Sequence, residues 1–221
     1  MLRAPLLATV PHGFSTREEP ALEIVLPGAP LVLAKQVHGI ETITVTEPWT
    51  GLPPEADALV TARPGLLIGV VTADCAPVLL ADSEAGVVGA VHAGWRGAFA
   101  GVIESALVAM KALGARPDRT VAAIGPTIAQ ASYEVDAEFH DRLVNQDAAT
   151  IDLLEPGNPG HYRFDLPAYV ARRLRAAGVA AIADLGEDTY AQPERFFSFR
   201  RATHRGEATG GRQTSVIALG G

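Results

Sequence analysis

The sequence predicts a mixed α/β (α+β) fold in a single domain spanning residues 1–221. Three observations predict it. Hydrophobic residues make up 48% of the 221-residue chain and charged residues 19%, which excludes disorder and allows a sizeable core. Short, nearly continuous apolar runs of strand length recur, as a sheet covered on both faces requires. Helical periodicity separates some of these runs, without a strict strand–helix alternation. With 16 prolines and 22 glycines the chain turns often, and no repeat or linker divides it.

Taken in order, Leu31 to Ala34 reads as a strand after Gly28-Ala29-Pro30. Glu41 to Thr46 alternates polar and apolar residues and is rich in β-branched side chains, which suits a half-buried strand. Pro48 to Pro54 is a loop. Leu66 to Thr72, Val78 to Leu80 and Val87 to Val91 are apolar strands, the first two separated by a break at Ala73 to Pro77. A helix follows, with Val102, Ala106, Ala109 and Leu113 on one face, Ile103 and Met110 beside them, and Gly114 as its stop. Val121 to Ile124 is a short strand ended by Gly125-Pro126, and Asp136 to Val144 is helical. Asp165 caps a helix with Pro167 in its first turn, running to Ala177 and stopped by Gly178. Val179 to Ile182, Phe196 to Phe199 and Thr214 to Leu219 complete the expected strands.

Charge and cysteine content narrow the function. Acidic residues outnumber basic ones by 25 to 18, a net charge of −7. Nucleic acids and anionic membranes call for a basic surface, so neither is expected as a partner. Cys75 is the one cysteine, which forbids an intrachain disulfide and suits a reducing, cytoplasmic setting. The segment MLRAPLLATVPHG lacks the apolar region and cleavage site of a signal peptide, and the longest apolar stretch, Gly65 to Val71, is too short to span a bilayer.

Reactive residues concentrate in three turns: Lys35-Gln-Val-His-Gly39, Thr72-Ala-Asp-Cys-Ala-Pro77 and Val91-His-Ala-Gly-Trp-Arg-Gly97. In each, a strand runs into a Gly or Pro turn carrying His38, Cys75 or His92, and strand ends display side chains into clefts. Two histidines and a cysteine suit a borderline-soft metal such as zinc. The spacing alone leaves two alternatives open. Cys75 and a histidine fit a nucleophile and its base, or His92 and Cys75 are ordinary buried residues with His38 in a loop.

The motifs KQVHG, ADALVT, TADCAPVLL and HAGWRG occur in this order. They are followed by Ile124-Gly-Pro126 with Tyr133-Glu-Val135, then by Phe196-Phe-Ser-Phe-Arg-Arg201 and Gly211-Arg212. In this, nearly the whole chain resembles the bacterial purine nucleoside phosphorylase family once named multicopper polyphenol oxidases or laccase-domain proteins, which includes the peptidoglycan editing factor. The resemblance implies a four-layer α/β/β/α sandwich like that of putative cysteine hydrolases, and a zinc held by His38, Cys75 and His92. It implies phosphorolysis of adenosine, inosine, guanosine and 5′-methylthioadenosine, with adenosine deamination beside it. Members of the family often carry further cysteines where this chain has Thr127 to Ser132 and Asp188 to Gln192, so Cys75 is the only thiolate available here.

Three protein ligands leave zinc an open position, the arrangement of catalytic sites. Phosphate needs a local cradle of arginines or backbone amides in a chain of net charge −7. Arg17, Arg96, Arg200, Arg201 and Arg212 are the candidates, with Arg96 favoured by its glycine-bracketed turn. Asp74 and Asp57 are expected behind the ligands, orienting a histidine, or in the case of Asp74 capping a turn. Trp95 suits a stacking platform or plain packing. Copper is expected only as an adventitious occupant, because it outcompetes zinc for such donors. True oxidase chemistry is disfavoured: Met110 lies in the apolar set of a helix, and six histidines are too few for a multinuclear cluster.

Overall fold

The structure is a computed structural model in which residues 1–17 and 24–220 are described. Among the described residues, thirteen strands and five α-helices follow one another in a mixed α/β arrangement. The strands are β1 (His12–Phe14), β2 (Leu31–Val32), β3 (Thr42–Thr44), β4 (Ala58–Thr61), β5 (Leu67–Thr72), β6 (Ala76–Asp82), β7 (Val87–Ala93), β8 (Val121–Ile124), β9 (Glu134–Asp136), β10 (Leu154–Pro156), β11 (His161–Phe164), β12 (Ala181–Asp184) and β13 (Gln213–Ala218). The helices are α1 (Trp95–Ala100), α2 (Val102–Ala112), α3 (Ala137–Gln146), α4 (Leu166–Ala176) and α5 (Phe199–Arg205). None of the described helices is long and apolar enough to cross a membrane.

Two sheets stack face to face. One has the order β1-β13-β5-β2, the other β12-β8-β6-β7-β4-β3. Their shared interior holds Phe14, Ile68, Val70, Leu79, Val88 and Ile217. The other face of the six-stranded sheet carries α2 and α4, where Val78, Leu80 and Val91 meet Ile103, Met110, Val170 and Leu174. Adjacent residues of β6 therefore point into two different cores, and all seven are buried. This is why the strand reads as an unbroken apolar run rather than an alternation. On its outer face the four-stranded sheet presents Leu67, Val216 and Ala218 to Val25, Leu26 and Ala29. A third sheet, β10-β11-β9, is antiparallel and smaller.

The helix caps follow the sequence. Asp136 accepts from the Phe139 amide at the start of α3, and Asp165 from the Ala168 amide at the start of α4. Gly101, at φ 110°, both ends α1 and begins α2, a conformation that an L side chain adopts only under strain.

One expected element is overturned. Phe196 to Phe199 is not a strand: Ser198 accepts from the Arg201 amide and caps α5, which begins at Phe199. The capping hydroxyl prevails over aromatic strand propensity, with Phe196 buried and Phe199 exposed. Several boundaries also shift: β2 ends at Val32 rather than Ala34, and β3 spans Thr42–Thr44 rather than Glu41 to Thr46. The break after β5 is confined to Ala73–Cys75, because β6 begins at Ala76 and takes in Pro77 near its start. The strand expected at Val179 to Ile182 runs instead from Ala181 to Asp184, parallel to β8.

Candidate metal centre

Two of the three candidate ligands lie where the chain passes from one sheet to the other. His38 is in the link from β2 to β3, and Cys75 is in the turn from β5 to β6. His92 is near the end of β7, paired with Pro77 of β6. One donor atom from each of the three lies within 4.8 Å of the others. His38 Nε2 is 3.9 Å from Cys75 Sγ, and the two imidazoles meet edge to face at 4.8 Å between centroids.

Asp57 sets much of this geometry. Its carboxylate is fully buried and accepts the backbone N–H groups of Val37 at 3.1 Å, His38 at 2.9 Å and Gly39 at 2.7 Å. It also lies 2.7 Å from His92 Nδ1. With Nδ1–H donated to the carboxylate, Nε2 of His92 is left for the cluster. His38 and Asp74, at φ 61° and 86°, are the two described residues other than glycine with positive φ. Asp57 holds the first of these strained turns. Asp74 holds the second: its carboxylate accepts from Thr189 Oγ1 at 2.6 Å and the Arg200 amide at 2.7 Å, while its carbonyl accepts from Thr127 Oγ1 and the Ile128 amide. Asp74 thus differs from Asp57 in orienting no histidine. Its carboxylate is taken up by Thr189 and by the first turn of α5.

The ionisable groups are strongly coupled. Burial pushes the Cys75 thiol up, but hydrogen bonding and charge from His38 and His92 outweigh it and bring the group down to about 7. Burial pushes His92 down, and Asp57 together with Cys75 raises it to about 9. Burial also opposes ionisation of Asp57, yet bonds from His92, Gly39 and Val37 hold its carboxyl below the usual range.

The donor set fits zinc. Bonds of about 2.0 Å to nitrogen and 2.3 Å to sulfur bridge at most roughly 4.3 Å; the Nε2–Sγ separation of 3.9 Å lies inside that reach, whereas the 4.8 Å spread of the whole group exceeds it, so the three donors would draw together by some tenths of an ångström around an ion. The backbone also leaves room for the cluster. A Cβ on Gly94 would stand 2.9 Å from Cys75 Sγ and 3.2 Å from His38 Cδ2, so only glycine allows α1 to begin this close. Two imidazoles and one thiolate are donors suited to zinc, and three ligands leave a coordination position for substrate.

The cluster lies in a cavity of about 510 Å³. Of the five arginines expected to converge, Arg96, Arg200 and Arg212 line it. Arg96 stacks over Trp95 at 5.0 Å, and Arg200 reaches the Glu134 carbonyl at 2.7 Å. Arg17 and Arg201 are not among the lining residues. Arg17 donates to the Pro193 carbonyl and covers the Phe197 ring at 4.6 Å. Arg201 is buried, its guanidinium donating to the carbonyls of Thr189, Tyr190 and Phe196. Trp95 packs edge-on against Phe139 at 5.0 Å and also lines the cavity. Sequence reasoning left Gln36, Thr72 and Phe199 without a role. Gln36 donates to the Val71 carbonyl and accepts from its amide, each at 2.8 Å, which pins the end of β5 beside the His38, Cys75 and His92 group. Thr72 has a buried hydroxyl with no partner, and Phe199 forms an exposed apolar lip. The KQVHG motif was the available signal for Gln36.

A purine nucleoside phosphorylase of Rickettsia conorii is 36% identical over 190 residues, covering 86% of this chain and 78% of the relative. One from Streptomyces griseus is 39% identical over 204 residues, covering 89% and 79%, and one from Mycobacterium tuberculosis is 38% identical over 203 residues, covering 92% and 78%. Among solved structures, the DUF152 protein NMB0706 of Neisseria meningitidis superposes with TM-score 0.86 at 28% identity, over 99% of this chain and 98% of that one. YlmD of Geobacillus stearothermophilus gives TM-score 0.80 at 27% identity, over 99% and 94%. Residues 15–220 match the family described as multi-copper polyphenol oxidoreductase laccase, and the chain belongs to that family.

Proposed function

We infer that this chain is a single-domain, zinc-dependent purine nucleoside phosphorylase acting in the cytoplasm, with His38, Cys75 and His92 as the metal ligands. The observation that carries the reading is the meeting of two imidazoles and a thiol with Arg96, Arg200 and Arg212 around one cavity of about 510 Å³. That volume is of the size that small-molecule sites have. The names of the relatives support the same reaction class.

In phosphorolysis an oxygen of phosphate bonds to the ribose C1′ as the C1′–N9 bond breaks, and the electron pair leaves with the purine. The products are a free base and ribose 1-phosphate. Zinc, when bound, supplies a Lewis acid at the cluster. The chain itself supplies the rest. Asp57 fixes the His92 ring and the His38 turn, the arginines neutralise the phosphate dianion, and Trp95 and Phe199 offer apolar faces for a base. Adenosine, inosine, guanosine and 5′-methylthioadenosine are the proposed substrates. Deamination of adenosine to inosine is the proposed second activity, and copper is an adventitious alternative to zinc.

The test is incubation of zinc-loaded protein with adenosine, with and without phosphate. Adenine and ribose 1-phosphate should appear only with phosphate, accompanied by some inosine. Release of free ribose would identify a hydrolase instead. The nearness of Cys75 to His38 also suits a cysteine nucleophile with a histidine base. That reading requires turnover to survive chelation, so the same assay with a chelator separates the two.

A further inference from the structure

Tyr133 has no part in the mechanism above, yet it faces the same cavity. It lies between the 3-10 turn Gln130–Ser132 and β9, and it lines both the metal-site cavity and a neighbouring one of about 540 Å³. Its ring is held on several sides. Phe139 and Phe164 pack against it with centroids at 6.4 and 5.9 Å, and the Arg200 guanidinium covers it at 5.2 Å. Its amide bonds to the Gln130 carbonyl and its carbonyl to the Phe164 amide. The side chain as a whole is 9% exposed.

The hydroxyl at the end of this fixed ring bonds to no described residue, and it is not among the sealed, unpartnered polar atoms. It is therefore not sealed in the core, and Tyr133 lines the cavity beside Arg96 and Arg200. Burial, reinforced by the negative charges of Cys75 and Asp74, pushes the phenol well above its ordinary pKa against the pull of Arg200 and Arg96. It keeps its proton and remains a donor. Arg96 forms no ion pair with a described residue and only stacks on Trp95. One wall of the cavity thus carries two guanidinium groups and one neutral O–H donor whose direction is set by packing.

We propose that the Tyr133 hydroxyl donates a hydrogen bond to a tetrahedral oxyanion held by Arg96 and Arg200, the phosphate of the reaction inferred above. The proposal rests on that reading, and it adds a neutral positioning donor to the arginine pair. A phosphate seated there has one oxygen turned toward an already oriented O–H, which limits its rotation about the arginine contacts and directs another oxygen toward the sugar.

The experiment compares unaltered protein with Tyr133→Phe, both zinc-loaded. Inorganic phosphate is titrated calorimetrically, zinc content is measured, and the thermal midpoint is recorded. Phosphate should bind roughly ten- to hundredfold more weakly to the variant, the effect of one hydrogen bond to a charged ligand. Zinc content and midpoint should be unchanged, because the hydroxyl has no protein partner to lose. Equal phosphate affinity in the two proteins overturns the proposal and leaves the phosphorylase reading standing. A lower midpoint for Tyr133→Phe also overturns it, since the hydroxyl would then be structural. Failure of the unaltered protein to bind phosphate overturns both.

Discussion

Asp57 carries more of the site than any other single residue. A fully buried carboxylate is costly unless its oxygens are occupied, and four donors occupy these: three consecutive amides of the His38 turn and His92 Nδ1. Asp57→Ala leaves a buried imidazole and those amides without an acceptor. The expected loss of stability is about 3–5 kcal/mol, read by urea unfolding of the metal-free protein. Zinc affinity should fall roughly ten- to hundredfold, read by competition with a chromophoric chelator. A variant binding zinc as tightly as the unaltered protein would show that Asp57 does not orient His92. The motif named Asp57, but its partners lie up to 35 residues away in the chain, so its role became visible only in space. The arginines teach the same lesson. Arg200 and Arg201 are adjacent and chemically identical, yet one faces the cavity and the other is consumed by three backbone carbonyls. On a helix, neighbours point about 100° apart, and which of them faces inward depends on docking that local sequence does not encode.

At the scale of elements, legibility follows burial and capping. α2 and α4 could be read because each has an apolar stripe and a stop signal, and β6 and β7 because both faces are covered. The sheet β10-β11-β9 could not, because its strands are three or four residues long, and the alternation of exposed His161 and Arg163 with Tyr162 and Phe164 in β11 is too short to stand out as a strand signal. α1 is six residues long and includes Gly97. It ends on carbonyls of Ala98 and Phe99 that Arg173 of α4 satisfies from a distance. β1 was missed as well, and it contains His12, a buried imidazole placed between the Ala4 amide at Nε2 and the Val10 carbonyl at Nδ1, each at 2.9 Å. That pairing requires the neutral ring, accepting at Nε2 and donating at Nδ1. Burial, with Arg3 nearby, lowers its pKa below the ordinary 6.5, against the raising effect of the Val10 carbonyl, while the Ala4 amide at Nε2 favours the neutral ring. The sign of the pH effect follows. Below about 6.5 the unfolded chain takes up a proton that the folded chain refuses, so stability falls with pH until the folded ring also protonates. His12→Gln keeps polar reach without titrating. Thermal midpoints between pH 7.5 and 5 should therefore drop less in the variant than in the unaltered protein, and parallel drops would remove His12 as the cause.

For the whole molecule, the decisive feature is where the two stacked sheets are joined. His38 and Cys75 lie on separate passages between them, while His92 belongs to the six-stranded sheet alone. A metal ion held by all three would tie both crossings to β7, and separating the sheets would require its release. Binding to the folded chain only then adds stability as RT ln(1 + [L]/Kd), about 2.7 kcal/mol at a hundredfold excess over Kd. In a chain of this length each kcal/mol moves the thermal midpoint by about 2–4 °C, so zinc should raise it by roughly 5–10 °C and a chelator should reverse the gain. The shift should saturate with zinc concentration as a single site does, and it should not require substrate. Cys75→Ser provides the control. Its hydroxyl is a far poorer ligand than a thiolate, so the midpoint of the variant should respond little to zinc, although the serine occupies nearly the same volume. Two results would dismantle the assignment: no zinc-dependent shift in the unaltered protein, or an equal shift in Cys75→Ser. The second would mean that zinc binds elsewhere, and that the meeting of His38, Cys75 and His92 serves a thiol–imidazole pair instead.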